Sequence, residues 1–262
     1  TSVTGVQTCA LPIYVKDWKE IKVPASWQTQ GYGTPIYSNQ PYPFERSWPY
    51  VMKEPSNKNY TSYKERNPVG SYRRTFEVPA DWDGREVYMQ FDGVDSFFYL
   101  WINGQYVGFS KNSRNTASFN ITPYLQKGKN TVAAEVYRSS DGSFLEAQDM
   151  FRLPGIFRTV ALYSTPKVQV RDLVVIPDLD ETYTNGSLAI SADIRNFGKK
   201  AAKGYQMAYT LYANKLYSDE NTPVANAVAS ATVNLVNPNE TVEAEKAIMN
   251  VQSPNKWSAE FP

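Results

Sequence analysis

Residues 97–109 read Phe97-Phe98-Tyr99-Leu100-Trp101-Ile102-Asn103-Gly104-Gln105-Tyr106-Val107-Gly108-Phe109. Six apolar and aromatic residues, a two-residue Asn-Gly break and a shorter aromatic return form the pattern of a β-hairpin. Asn103-Gly104 is the strongest short signal for one, because a type I′ turn needs positive φ at both central residues. Working outward, Ser71–Val78 reads as a strand with Tyr72, Phe76 and Val78 on one buried face, and Pro79–Gly84 as the turn that follows. Glu86–Phe91, Ala117–Ile121, Asn130–Tyr137 and Phe157–Tyr163 add further short strands separated by turn residues. No long stripe of helical period competes with them. Short strands at regular spacing predict an all-β sandwich or barrel.

Thr165-Pro166 marks a boundary. Beyond it aromatics other than Tyr thin out. Strands are expected at Val168–Ile176, Leu188–Arg195, Tyr205–Tyr212, Ala227–Val236 and Val242–Val251, with turns near Asn185-Gly186, Phe197-Gly198, Asn214 and Pro238-Asn239. About seven short strands in roughly 100 residues is the immunoglobulin-like expectation. Residues 1–14 match nothing that follows and lack the pattern of a secretory signal, so they are expected to be a non-native leader. The compartment is then left open, because the native N-terminus is expected to be missing. The expected organisation is thus a leader over 1–14, one β domain over 15–165 and an immunoglobulin-like β-sandwich over 166–262.

Composition closes off several functions. The 262 residues carry a net charge of +1, which gives no steering toward nucleic acid or acidic lipid. No apolar run approaches the ~20 residues of a membrane helix. Histidine is absent, which removes the commonest general base and zinc ligand. Cys9 is the single cysteine, so no internal disulfide can form.

A long irregular run sets charges among large apolar groups: Asp141-Gly142-Ser143-Phe144-Leu145-Glu146-Ala147-Gln148-Asp149-Met150-Phe151-Arg152-Leu153-Pro154-Gly155-Ile156-Phe157-Arg158. It is too irregular for a strand, and burying such charges is costly unless they are paired. Residues 25–69, rich in Pro, Tyr, Asn and Trp, read as a long packed and functional loop region. Glu146 and Asp149, three apart, lie too close in sequence to straddle a scissile bond as a catalytic acid pair. An arginine among Arg138, Arg152 and Arg158 is the expected partner of Glu146, and Arg152 or Arg158 the alternative structural partner of Asp149. Trp27, Trp48, Trp101, Phe97, Phe98 and Tyr99 could stack on a ligand ring, but packing is the favoured reading. Arg73-Arg74 and Lys199-Lys200 read as solvated pairs.

These stretches, taken with Pro24–Tyr32, Pro35-Ile36-Tyr37-Ser38-Asn39, Tyr42-Pro43, Asn67–Arg74, Phe91–Ser96 and Trp101–Gly108, resemble the N-terminal sugar-binding jelly-roll domain of glycoside hydrolase family 2, in its bacterial β-galactosidase branch. The second half resembles that family's first immunoglobulin-like domain, ending in Trp257-Ser258-Ala259-Glu260-Phe261-Pro262. The resemblance implies a jelly-roll sandwich followed by an immunoglobulin-like one, with a catalytic TIM barrel that this chain lacks. The chain alone is then expected to be inactive. By the same resemblance, Asn39 and Asp149 bind a β-galactoside, and Asp149 is one ligand of a sodium ion whose other ligands sit in the barrel. Magnesium belongs to the full enzyme. The implied partners are the substrate, the enzyme's own barrel and further copies of the enzyme, with neither nucleic acid nor membrane. The alternatives are a free-standing carbohydrate-binding or assembly module, or the same part of a β-glucuronidase or β-mannosidase.

Overall fold

Asn103 and Gly104 both take positive φ, 50° and 83°, so the turn forms as its residues require. The Asn103 side chain also ties the hairpin down. Its amide nitrogen donates to the Tyr124 carbonyl and to Asn130 Oδ1, and its oxygen accepts from the Thr131 N–H at 2.8 Å. The computed structural model describes residues 15–39, 67–146, 148–214 and 218–260. The leader expected at 1–14, and with it Cys9, lies outside them, as do Tyr42-Pro43, Trp48 and most of the loop region.

The chain divides into two compact units, residues 1–164 and 165–262. The strands of the first are β1 (Ile36–Ser38), β2 (Val69–Glu77), β3 (Glu86–Phe91), β4 (Phe97–Ile102), β5 (Gln105–Ser110), β6 (Ala117–Asn120), β7 (Lys129–Tyr137), β8 (Met150–Arg152) and β9 (Val160–Thr165). A single helical turn, α1 (Ser143–Glu146), precedes β8. One sheet runs β2-β7-β4-β5, a second runs β6-β3-β9, and β1 pairs with β8 in a ribbon of its own. Alternation sets the core. Val87, Met89 and Phe91 of β3 meet Phe98, Leu100 and Ile102 of β4 and Ala134 and Val136 of β7, all buried. Phe91 and Phe98 touch across the core with ring centroids 4.7 Å apart. Phe97, Tyr99 and Trp101 take the opposite face of β4, so the aromatic run is split between two faces. The strand expected at Phe157–Tyr163 begins only at Val160, because Phe157 and Arg158 belong to the loop run.

The second unit holds β10 (Val168–Leu179), β11 (Gly186–Asn196), β12 (Tyr205–Asn214), β13 (Asn221–Val233), β14 (Thr241–Glu243) and β15 (Ala247–Val251). One sheet places β11 between β10 and the pair β14 and β15; the other is β12 with β13. The single strand expected over Val242–Val251 is two strands. The break falls at Ala244-Glu245, where the chain bridges the sheets: Ala244 N–H donates to Ala192 O at 2.8 Å and Glu245 N–H to Thr232 O at 3.1 Å. The core is Ile190, Ala192 and Ile194 of β11 against Tyr209 of β12, Ala227, Ala231 and Val233 of β13, and Ala247 and Met249 of β15.

Candidate functional site

The ribbon of β1 and β8 joins two segments far apart in the chain. Its register sets Ile36 opposite Arg152, Tyr37 opposite Phe151 and Ser38 opposite Met150. One step further along both strands come Asn39 and Asp149, so the antiparallel pairing brings the two sequence-predicted binding residues to the same end of the ribbon. Both are exposed. Tyr37, two positions before Asn39, packs its ring on Phe151 with centroids 5.4 Å apart. Its hydroxyl donates to Asp149 Oδ1 at 2.6 Å, across 112 positions of sequence. That bond and the carboxylate charge push the Tyr37 phenol above its ordinary range, which keeps it a neutral donor. Asp149 Oδ1 accepts from Tyr37.

The run that carries Asp149 is held at many points. Lys111 Nζ pairs with Asp141 at 2.7 Å, and that bond lowers the Asp141 carboxyl. Glu146 accepts from the Ser113 N–H at 2.9 Å and from the Ser113 hydroxyl at 2.5 Å. Ser113 is buried, so this carboxylate is matched where water is scarce. Farther on, Pro154 and Ile156 accept from the N–H groups of Trp27 and Ala25 at 3.0 and 2.9 Å, and Gly155 exchanges two backbone bonds with Asp95. Gly155 has φ +136°, and a Cβ there would lie 2.9 Å from the Ala25 carbonyl oxygen, so only glycine fits. Trp27 completes the clamp: its indole N–H donates to the Tyr72 hydroxyl at 2.5 Å. Burial drives the Tyr72 phenol up to about 12.

Behind the ribbon sits a second charged group that the sequence reading missed. Asp95 is largely buried and pairs with Arg114 at 3.2 Å. Burial raises the Asp95 carboxyl, Arg114 opposes that rise, and the Glu146 charge adds to it. The Arg114 and Arg158 guanidinium groups both lie on the Phe157 ring, at 4.7 and 5.3 Å from its centroid. Arg158 also donates to the Arg114 carbonyl at 2.7 Å. Asp95 lay inside the Phe91–Ser96 motif, and Phe157 and Arg158 inside the 141–158 run; nothing local marks Arg114 or Ser113.

One expected pairing is therefore corrected, and the alternative one for Asp149 is not formed. Glu146 is held by Ser113, not by an arginine. Asp149 is held by Tyr37, whereas Arg152 donates to the Gln148 carbonyl and Arg158 to the Asp92 and Arg114 carbonyls. In both cases the donor is neutral and distant in sequence: Ser113 comes from the turn between β5 and β6, and Tyr37 is brought to Asp149 by the ribbon. Glu146 and Asp149 have separate partners and do not form an acid pair. Among the described residues no three of His, Cys, Asp and Glu gather as a metal site. Asp149 offers one carboxylate, which suits one ligand of a shared set and cannot hold a cation alone. Of the aromatic residues considered for sugar stacking, Trp27 and Phe98 are core.

This fold and loop arrangement fall in one class. The chain belongs to the glycosyl hydrolases family 2 through its sugar binding domain, whose family model matches residues 5–166. That match begins inside the stretch expected to be a leader. Among curated relatives, the chain is 42% identical over 245 residues to a β-galactosidase of Priestia megaterium, covering 94% of this chain and 22% of the relative. It is 37% identical over 250 residues to a β-galactosidase of Psychromonas ingrahamii, again with 94% and 22% coverage. The chain thus spans about a fifth of the length of these relatives. A solved structure of a calcium-binding mutant of Bacteroides uniformis β-glucuronidase 2 shares the fold, with TM-score 0.64, 20% identity and 97% of this chain covered against 27% of that one.

Proposed function

We propose that the chain is the N-terminal, non-catalytic part of a β-galactosidase that hydrolyses terminal non-reducing β-D-galactose residues. In this reading the ribbon lends Asn39 and Asp149 to a galactose and sodium site that a TIM barrel completes. The observation that carries it is the pairing of β1 with β8, which places an exposed amide and an exposed carboxylate together at one ribbon end. That combination suits sugar recognition: an amide both donates and accepts to hydroxyls, and a carboxylate accepts from them. The names of the 42% and 37% identical relatives favour galactose over glucuronic acid or mannose. Sodium, when bound, would supply a hard positive centre for sugar oxygens. The part this chain would play is Asp149 Oδ2 as one ligand, steadied by the Tyr37 hydroxyl on Oδ1.

The test is a chimera. The portion of the Priestia megaterium β-galactosidase that matches this chain is replaced by residues 15–260, and turnover of an aryl β-galactoside is measured. The chimera is expected to be active and the isolated chain inactive. Asp149→Ala in the chimera should lower kcat/KM by at least about 100-fold, or roughly 2.7 kcal/mol of transition-state binding. An active chimera indifferent to both Asp149→Ala and Asn39→Ala refutes the proposed site.

A further inference from the structure

The turn between β5 and β6 meets the 141–158 run at successive points. Lys111 pairs with Asp141, Ser113 donates to Glu146, and Arg114 meets Met150, Phe157 and the Arg158 side chain. The order is the same in both segments, so the turn lies along the run. The approach is close at its start: a Cβ at Gly142 would lie 3.0 Å from the Lys111 carbonyl oxygen. Ser113, 1% exposed, anchors the turn in the sandwich.

Of these contacts, the one made by Arg114 reaches β8. Its guanidinium donates to Met150 Sδ at 3.6 Å. Met150 is the neighbour of Asp149, and its register partner Ser38 is the neighbour of Asn39. The same nitrogen donates to Asp95 Oδ2 at 3.2 Å, and Asp95 is itself fixed by two backbone bonds with Gly155. The guanidinium also lies on the Phe157 ring, 4.7 Å from its centroid. One side chain thus ties the ribbon to a carboxylate held in the sandwich. The ribbon needs such a tie, because each of its strands has three residues and an isolated two-stranded pairing is marginal.

Arginine suits all three contacts at once. Its planar fork donates along an edge while the flat face rests on a ring. Lysine is a point charge that can stay beside Asp95 but has no face to lay on Phe157. Arg152, the cation on β8 itself, does not replace it: it donates to the Gln148 carbonyl, and its Nε is buried without a partner.

We infer that Arg114 is a positioning residue for the ribbon end: through Met150 it holds β8 in the place that presents Asp149 beside Asn39. Its effect on a galactoside passes through Asp149, so that part of the inference rests on the functional reading above. The pinning of the ribbon is read on the chain itself.

The variants are Arg114→Lys, which keeps the charge beside Asp95, and Met150→Leu, which keeps the apolar volume and removes the sulfur acceptor. In the intact 262-residue chain, amide hydrogen exchange by NMR compares Ile36–Ser38 and Met150–Arg152 with Leu100 and Ile102 of the core. Arg114→Lys is expected to speed exchange in the ribbon by about tenfold, with the core amides within about twofold of the parent. Met150→Leu should speed it by about threefold, and the double variant should exchange no faster than Arg114→Lys alone. In the Priestia megaterium chimera, Arg114→Lys should raise KM for the aryl β-galactoside about tenfold and leave kcat within about twofold. Once Asp149→Ala is in place, the same change should move KM by less than about twofold, because the group it acts through is gone. Unchanged ribbon exchange in Arg114→Lys overturns the proposal, as does a rise shared equally by Leu100 and Ile102. An unaltered KM in an active chimera that responds to Asp149→Ala overturns it too, as does an effect of full size in the Asp149→Ala background. A chimera indifferent to both Asp149→Ala and Asn39→Ala removes the galactoside reading instead, and ribbon exchange then decides whether Arg114 pins β8.

Discussion

Gly70→Ala should loosen the clamp on the Asp149 run, and the structure gives its size. A Cβ at Gly70 would lie 2.6, 2.8 and 2.9 Å from Cζ2, Cε2 and Nε1 of the Trp27 indole. Carbon atoms rest at about 3.5–4.0 Å, so the ring must retreat by nearly 1 Å. It has little room, since Trp27 is 6% exposed. Forcing an extra methyl into a packed core costs about 1–3 kcal/mol. The bond from the indole N–H to Tyr72 stretches as the ring moves, which adds about 1 kcal/mol. A loss of about 2–4 kcal/mol lowers Tm by roughly 5–15 °C in a unit of this size. Differential scanning calorimetry measures it, with Trp fluorescence reporting the movement of Trp27. Trp27→Phe replaces the indole, with its clashing Cζ2, Cε2 and Nε1, by a smaller ring, so the double variant should be less destabilised than the sum of the two single ones by about 1 kcal/mol or more. A Tm within about 1 °C of the parent, or a strictly additive double variant, would refute the packing argument.

Two further outcomes follow from the same sandwich. Leu100 is fully buried at the centre of the core, and Leu100→Ala should cost about 3–5 kcal/mol in urea unfolding with the m-value unchanged. The Asp95 carboxyl is raised in the folded state, so its contribution is whole below the ordinary carboxylate range and is lost as pH rises through its folded value. Arg114 limits that loss, so Arg114→Met should destabilise more at pH 7 than at pH 4, read by thermal melts across that range; equal destabilisation at both ends would rule out the pairing as the cause.

The β1–β8 ribbon shows where local reading stops. Asn39 and Asp149 were named from motif resemblance, each within its own loop. Their placement at one ribbon end depends on a register between segments whose Tyr37 and Asp149 are 112 positions apart, and no local period encodes that. The expected arginine partner of Glu146, and the alternative one considered for Asp149, failed for the same reason. Proximity in sequence favoured Arg152 and Arg158, while folding delivered Ser113 and Tyr37. The irregular look of the 141–158 run was accurate for most of its length. It hid the three residues of β8, because so short a strand shows no alternation.

The sequence by itself determined most of the strand content, the Asn103-Gly104 turn, the inward Tyr72, Phe76 and Val78 and the change of character at Thr165-Pro166. All of these are local: side-chain period, turn stereochemistry and composition act over a few residues. Only the tertiary structure decided which face of Phe97–Ile102 is core, which donors hold the two carboxylates, and that Arg114 reaches β8. Those outcomes depend on which sheets stack, and they arise from contacts between segments far apart in the chain.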